Sequence, residues 1–447
     1  MCGIFIEISR SGSFSIDEQE ISKIMNSRGP DEFFSIDSKI ASGLFIRMAH
    51  SRLAITGLST KIIQPVNTKR YIVCFNGEIY NHKMLARVYF PEEELDSDTD
   101  LLVALIEKFG LEKAAENIDG MFSIVVWDKE KSSLHFCRDK FGQKPLYTFT
   151  KKDTLFLVSE PGYLADCRLG LSLNKKKIGE ILEFGYKHRF SNFDTEIVGL
   201  KGVEPGILHS ISKEVFNTQN FFGLCIQNEI IFNSVKEEAV FKPKSIVESI
   251  LSIIPQEVPF GIPLSSGVDS NIILDILTDH YKKNDCGNKN CLGIYTVESR
   301  DPRYSETSYL GTQIKRAKAI GIPHYSIPIP SSILAVEICK SMVRQRLGLI
   351  GGLNYVGQFL MFKKMREHGV KVTLSGVGAD GTGDERQCDG PGCERTTAIR
   401  WSCQFPQAVG GSHGPSGSVH HFSLSDRRGS TDRRWILLPG GADEPAV

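Results

Sequence analysis

Over the first two hundred residues, the apolar positions fall in short β-branched and aromatic runs closed by Asn, Gly or Asp. MCGIFIEI, YIVCFNG, FSIVVWD, SLHFCRD and TLFLVSE each have the length and composition of a strand. FSIVVWD and SLHFCRD, separated by KEK and a serine, predict a hairpin. Helices interrupt this series. Ile21, Ile24 and Met25 share one helical face, and Ser15 with Glu18 makes a capping-box pattern ahead of them. Asp98 stands where a helix over LLVALIEKF would begin. Sequential strands with intervening helices predict antiparallel sheets covered by helices.

A polar, irregular stretch follows over residues 206–245 and reads as a linker or peripheral segment. From residue 246 the pattern changes. PFGIPLSSG is a strand entering a turn, DSNIILDILTDHYKK a helix and NCLGIYTV a strand. YSETSYLGTQIKRAKAIG is a helix closed at Gly321, followed by PHYSIPI, and FLMFKKMREHG is a helix leading into VKVTLSG. Strand alternating with helix predicts a parallel, doubly wound sheet over residues 246–380. Residues 381–447 contain no lysine, are enriched in Gly, Arg, Ser and Pro, and carry no sustained period. Two readings stay open for them, a disordered tail or an end replaced by a shift of reading frame. Neither adds a folded functional domain.

Length and charge narrow the class. A chain of 447 residues exceeds one ordinary core and predicts two or three domains. With 53 basic and 53 acidic residues, nothing favours nucleic acid or an anionic membrane as partner. No apolar run approaches the roughly 20 residues of a membrane span, and the N-terminus lacks the grammar of a signal peptide. The eleven cysteines are therefore expected as free thiols in a cytoplasmic protein. Cys286 with Cys291, and Cys388 with Cys393, lack the partner pairs a zinc site needs.

Cys2 follows the initiator methionine directly and precedes Gly3. Removal of Met1 would leave an α-amine able to act as base for the thiol beside it. Taken alone, Cys2 reads more readily as a buried residue of a first strand. Further motifs change that balance: RGPD (Arg28–Asp31), HSRLAI (His50–Ile55), FNGEIYN (Phe75–Asn81), SDTD (Ser97–Asp100) and RDKFGQKPLY (Arg138–Tyr147). With MCGIF these resemble, in order and spacing, the class II glutamine amidotransferase domain of glutamine-hydrolysing asparagine synthetases. The resemblance covers essentially all of residues 2–200, within a first domain expected over 2–205, and departs at Ser27, where the family usually has His.

The resemblance implies roles. Cys2 would be the nucleophile, and the Asn76 amide and Gly77 N–H would form the oxyanion hole, one such donor being worth about 3 kcal/mol. Glutamine would lie against Arg52, Leu53, Ala54, Ile55, Thr56, Asn76, Gly77, Glu78 and Asp98. Arg52 would take the α-carboxylate and Asp98 the ammonium, with Glu78 in support. Alternatives remain: Arg52 as a surface residue, Asn-Gly as a simple turn, and Asp96 or Asp100 in place of Asp98. RGPD and RDKFGQKPLY read as structural or interdomain, and His50 as structural.

PLSSGVDS (Pro263–Ser270) resembles the pyrophosphate loop of N-type ATP pyrophosphatases, with Ser266 in place of its first Gly. A strand, a Ser/Gly turn and a helix N-terminus aim backbone N–H groups at phosphate, although such turns are also common without a ligand. LSGVGAD (Leu374–Asp380) resembles a second motif of the same family. The resemblance implies ATP contacts from Leu264, Ser265, Ser266, Gly267, Asp269, Ser270, Val297, Ser375 and Gly376. It implies Mg²⁺ on Asp269 and Asp380. Val377 stands where asparagine synthetases commonly carry an acidic residue, and the expected continuation after Asp380 is not recognisable.

The expected fold is a four-layer αββα sandwich followed by a parallel α/β domain. The expected function is glutamine-dependent amidation of an ATP-activated carboxylate, most simply aspartate. The alternatives are a relative that amidates a different acceptor and a glutaminase or regulatory chain without synthetase activity. Partners would be small-molecule substrates, and a homodimer is one expectation for the assembly.

Overall fold

A computed structural model describes residues 1–376 and the backbone of 402–404, apart from residues 11, 41–42, 59–62, 168, 186–192, 213–245, 266, 285–289, 299–310, 312–313, 316, 320, 330–331 and 351–353. Two antiparallel sheets build the first half. One runs in the order β10-β8-β9-β1-β3-β2, from β1 (Gly3–Ser9), β2 (Glu32–Lys39), β3 (Phe45–Arg52), β8 (Tyr147–Lys151), β9 (Thr154–Val158) and β10 (Leu200–Gly202). The other runs β11-β7-β6-β5-β4, from β4 (Val66–Asn67), β5 (Tyr71–Ile79), β6 (Gly120–Asp128), β7 (Ser133–Arg138) and β11 (Leu208–Ser212).

The layering follows from strand alternation. Along β1, Ile4, Ile6 and Ile8 point into the core between the sheets, where Cys74, Val125, Trp127 and Phe136 meet them. Phe5 points the other way, onto Ile21 and Met25 of α1 (Glu18–Met25) and Tyr163 and Leu164 of α5 (Gly162–Asp166). The second sheet turns Val73, Phe75 and Ile124 outward beneath α2 (His82–Tyr89), α3 (Asp98–Phe109) and α4 (Leu111–Asn117). The result is helix, sheet, sheet, helix, as expected. The predicted hairpin is present, with Asp128 opposite Ser133.

Two expectations change. The α1 N-cap is Asp17, whose carboxylate accepts from Glu20 N at 2.8 Å. Ser15 is drawn away because both its N–H and its hydroxyl donate to Glu7 Oε1, at 2.7 Å each. Glu18 accepts instead from Ser35 Oγ at 2.5 Å. The first sheet pair also extends past the boundary near residue 205, because β11 pairs with β7 as far as Ser212.

After α6 (Lys175–Phe184), the second half carries β12 (Phe260–Pro263), α7 (Val268–Asn284), β13 (Cys291–Glu298), β14 (His324–Pro328), α8 (Ser332–Arg346), α9 (Asn354–Glu367) and β15 (Val372–Ser375). The sheet order is β14-β13-β12-β15-β16, parallel over its first four strands, with β16 (Ser402–Gln404) antiparallel at the edge. The chain winds outward from β12 to β14 and returns to the other side of β12. The crevice at the C-terminal ends of β12 and β15 is therefore the topological switch point, where open α/β sheets take ligands. α8 was not foreseen. The rest of the 381–447 tail, Val377 and Asp380 lie outside the described residues.

The halves share an apolar core. Met1, Leu53, Ile55 and Met121 of the first pack with Ile250, Phe260, Leu274 and Leu374 of the second. Among the described residues no helix is long and apolar enough to cross a membrane.

Candidate active site

Strands β1, β3 and β5 and the start of α3 converge on one open pocket. Cys2, Arg52, Leu53, Ile55, Thr56, Gly77, Glu78 and Asp98 line it, together with Gln64, Phe75, Ser97 and Thr99. Cys2 is placed by β1 pairing with β3, Gly3 lying opposite Ser51. Its Sγ accepts from Leu53 N at 3.4 Å, and its carbonyl accepts from Arg28 Nε at 3.1 Å. With Met1 in place the Cys2 nitrogen is a peptide nitrogen. The free amine belongs to Met1, and its burial holds its pKa well below the usual 8.0.

Asn76 and Gly77 sit side by side on β5. The Asn76 side-chain nitrogen is buried and has no hydrogen-bond partner among the described residues. An orphaned buried donor costs about 1–3 kcal/mol and is uncommon without a reason. Asn76 is not among the pocket-lining residues, while its neighbours Phe75 and Gly77 are. At Gly77 a Cβ would come within 2.3 Å of the Met121 carbonyl oxygen, so only glycine lets β5 run this close to β6.

Two carboxylates face each other at the far side. Asp98 Oδ1 accepts from Thr56 Oγ1 at 3.3 Å, and Oδ2 accepts from Ile79 N at 3.1 Å. Burial raises the Asp98 pKa. Glu78 is pushed up well above the usual carboxylate range, by burial first and by the neighbouring Asp98 charge second. Asp100 is occupied elsewhere: it closes a capping box with Ser97, whose N–H and hydroxyl donate to Asp100 Oδ2 at 2.9 and 2.7 Å. Of Asp96, Asp98 and Asp100, Asp98 is the one that lines the pocket.

Arg52 lies at the rim, donating to Glu32 Oε2 at 3.1 Å and to the Gly57 carbonyl at 2.9 Å. Ala54 faces away, its N–H donating to Asp31 Oδ2 at 2.8 Å. His50 is structural, as expected. Burial lowers its pKa to about 4, and its neutral Nε2–H donates to the Phe75 carbonyl at 3.0 Å. The described cysteines are free thiols.

Sequence reasoning missed the residues beneath Cys2. Arg28 is fully buried and paired with Glu160 at 2.8 Å, beside Tyr163, whose buried hydroxyl has no partner among the described residues. The RGPD motif was the available signal.

At the switch point the second cluster assembles around the N-terminus of α7. Ser265 N donates to Ser270 Oγ at 3.2 Å, and Gly267 N to Ser265 Oγ at 3.1 Å. Asn271, not foreseen, ties the loop by donating to the Ser265 and Gly267 carbonyls at 3.1 and 2.7 Å. A Cβ on Gly376 would lie 2.6 Å from Asp269 Cβ, so the chain leaving β15 touches the first turn of α7. Leu264 is anchored to β13 by its N–H, 2.8 Å from the Tyr295 carbonyl. Val297 packs against α9 at Gly357. Ser266 and Asp380 lie outside the described residues. Asp269 is the acid the described part of this cluster offers to a cation, and no group of three or more metal-ligating side chains occurs among the described residues.

Comparison with known proteins matches residues 1–222 to a glutamine amidotransferase domain and residues 245–382 to asparagine synthase. Asparagine synthetase [glutamine-hydrolyzing] 1 of Bacillus subtilis is 27% identical over 386 residues, covering 81% of this chain and 55% of that protein. The enzyme of the same name from Zea mays is 27% identical over 401 residues, covering 85% and 59%. The chain thus spans little more than half the length of these relatives. Among solved structures, a glutamine phosphoribosylpyrophosphate amidotransferase from B. subtilis aligns at 14% identity with a TM-score of 0.35, covering 75% of this chain and 70% of that one. Both family models, in this order along one chain, meet the motifs at Cys2, Arg52, Asn76 and Ser265–Ser270, and the chain belongs to the glutamine-hydrolysing asparagine synthetase family.

Proposed function

We propose that this chain hydrolyses glutamine at Cys2 and delivers the ammonia to a carboxylate activated by ATP, with aspartate as acceptor and asparagine as product. It is read as two domains, one running past Ser212 and one from residue 246, and as a cytoplasmic enzyme. The observation that carries the reading is the single pocket in which Cys2, Arg52 and the Glu78–Asp98 pair meet. Two buried carboxylates on one pocket suit an ammonium group, and Arg52 suits a carboxylate. The molecule that carries both, and a side chain reaching back to Cys2, is an α-amino acid.

The chemistry requires loss of Met1, so that the Cys2 α-amine takes the thiol proton. The thiolate adds to the glutamine carboxamide carbon, and the oxyanion accepts from Asn76 Nδ2–H and Gly77 N–H. Collapse breaks the C–N bond, the amine returns its proton, and ammonia leaves. Water then cleaves the thioester to glutamate. At the switch point, Ser265, Ser266, Gly267 and Ser270 would hold the ATP phosphates, with Ser375 and Gly376 beside the nucleotide. Mg²⁺ held by Asp269 and Asp380 would offset charge on the departing pyrophosphate. The carboxylate attacks the α-phosphorus, pyrophosphate leaves, and ammonia displaces AMP.

The test is glutamate release by the purified chain, with Cys2→Ala and Asn76→Ala as controls, with and without ATP and aspartate. Release abolished in Cys2→Ala and reduced about 10²–10³-fold in kcat in Asn76→Ala supports the first half. Asparagine and pyrophosphate formed in equal amounts support the second. Glutamate release that persists in Cys2→Ala would overturn the reading.

A further inference from the structure

The segment from Arg52 to Leu58 reaches both Cys2 and Asp98 in the glutamine pocket. Arg52 lines it, Leu53 N donates to Cys2 Sγ at 3.4 Å, and Thr56 Oγ1 donates to Asp98 Oδ1 at 3.3 Å. The segment is nevertheless held from outside its own domain. Glu257 grips two successive backbone amides, Gly57 N donating to Oε1 at 3.2 Å and Leu58 N to Oε2 at 3.1 Å. The carbonyl of the same Gly57 accepts from Arg52 Nη2 at 2.9 Å. Lys371 Nζ donates to the Ala54 carbonyl at 3.1 Å and lies 3.2 Å from Asp31 Oδ2, which itself accepts from Ala54 N. Between the two polar contacts, Leu53 and Ile55 pack into the core shared with Phe260 and Leu374.

Glu257 and Lys371 precede β12 and β15, two adjacent parallel strands. The loops at the opposite ends of these strands are the phosphate-loop candidates. From this placement we propose that Glu257 and Lys371 are positioning residues for the glutamine site. The second domain, acting through the backbone of residues 54–58, fixes the Arg52 guanidinium and the Thr56 hydroxyl where the substrate's carboxylate and ammonium bind. The inference rests on the glutaminase reading and deepens it. Neither side chain lines the pocket, so each acts on affinity and leaves the thiol chemistry alone.

The experiment uses the full chain carrying Glu257→Ala, Glu257→Gln or Lys371→Met, with KM and kcat for glutamine taken from glutamate release. Amide hydrogen exchange at Gly57 and Leu58 gives a readout independent of turnover. Two charge-assisted hydrogen bonds at a partly exposed site predict a KM raised about three- to tenfold in Glu257→Ala, with kcat within about twofold. Glu257→Gln keeps one acceptor oxygen and is expected to recover part of the loss. Exchange at both amides is expected to quicken in Glu257→Ala. An unchanged KM with unchanged exchange overturns the proposal, as does a fall in kcat at constant KM. These outcomes count only against a wild type whose release depends on Cys2. A wild type without such release removes the glutaminase reading, and this inference with it.

Discussion

The buried pair beneath Cys2 gives the sharpest stability prediction. Arg28 and Glu160 meet at 2.8 Å with side-chain exposures of 0% and 4%, and Arg28 Nε also donates to the Cys2 carbonyl at 3.1 Å. Unit charges about 4 Å apart at an effective dielectric near 20 attract by roughly 4 kcal/mol, against a desolvation cost of similar size. Removing one partner leaves that cost unopposed. Arg28→Met is therefore expected to lose about 3–5 kcal/mol. Loss of the donor to the Cys2 carbonyl adds about 1 kcal/mol. Neutralising both partners, in Arg28→Met with Glu160→Gln, removes the stranded charge and is expected to restore more than half of the loss. Urea unfolding followed through Trp127 fluorescence, in the core between the sheets, reads the first domain. Glutamate release is expected to fall in both variants, because the Cys2 carbonyl loses its anchor in each. A loss below about 1 kcal/mol in Arg28→Met, or a double variant no better than the single, would refute the argument that an uncompensated charge sets the cost.

Two further predictions concern the pocket and the helix cap. Glu78 has its folded-state pKa raised by burial and by Asp98, so the folded state holds that proton more tightly than the unfolded chain does. Its contribution to stability is most favourable below the unfolded value near 4.5 and is lost as pH rises through the raised folded value. Without glutamine, Glu78→Gln is expected to melt higher than wild type at pH 7, with the gap closing toward pH 4.5, and to bind glutamine more weakly at every pH. A wild type that melts as high as Glu78→Gln at pH 7 would contradict this. At α1, Asp17→Ala is expected to cost about 1 kcal/mol in urea unfolding, and Glu18→Ala less than half of that. The reverse order would restore Ser15 and Glu18 as the cap.

What could be read ahead of the structure was chemistry that local backbone geometry enforces. Gly77 must be glycine because β6 lies against it, so Asn-Gly-Glu carries its meaning within three letters. Asp98 and Asp100 looked interchangeable, yet the spacing from Ser97 to Asp100 is itself a capping box. That spacing assigns Asp100 to the helix and leaves Asp98 for the pocket. The cap at α1 misled because two local patterns competed, and the winner was set by Glu7, a strand residue that claims Ser15 from outside the helix. Distance along the chain is where the reading failed. Arg28 finds Glu160 across 132 positions, and Gly57 finds Glu257 across 200. A lone arginine or glutamate in a loop has the same composition whether it faces water or holds another domain. The same limit applies to Arg52, which donates to the carbonyl of Gly57, five residues away, while the Gly57 N–H donates to Glu257. Local motifs thus supplied the candidate site residues, while the residues packed beneath and beside them came from folded contacts that no spacing rule encodes.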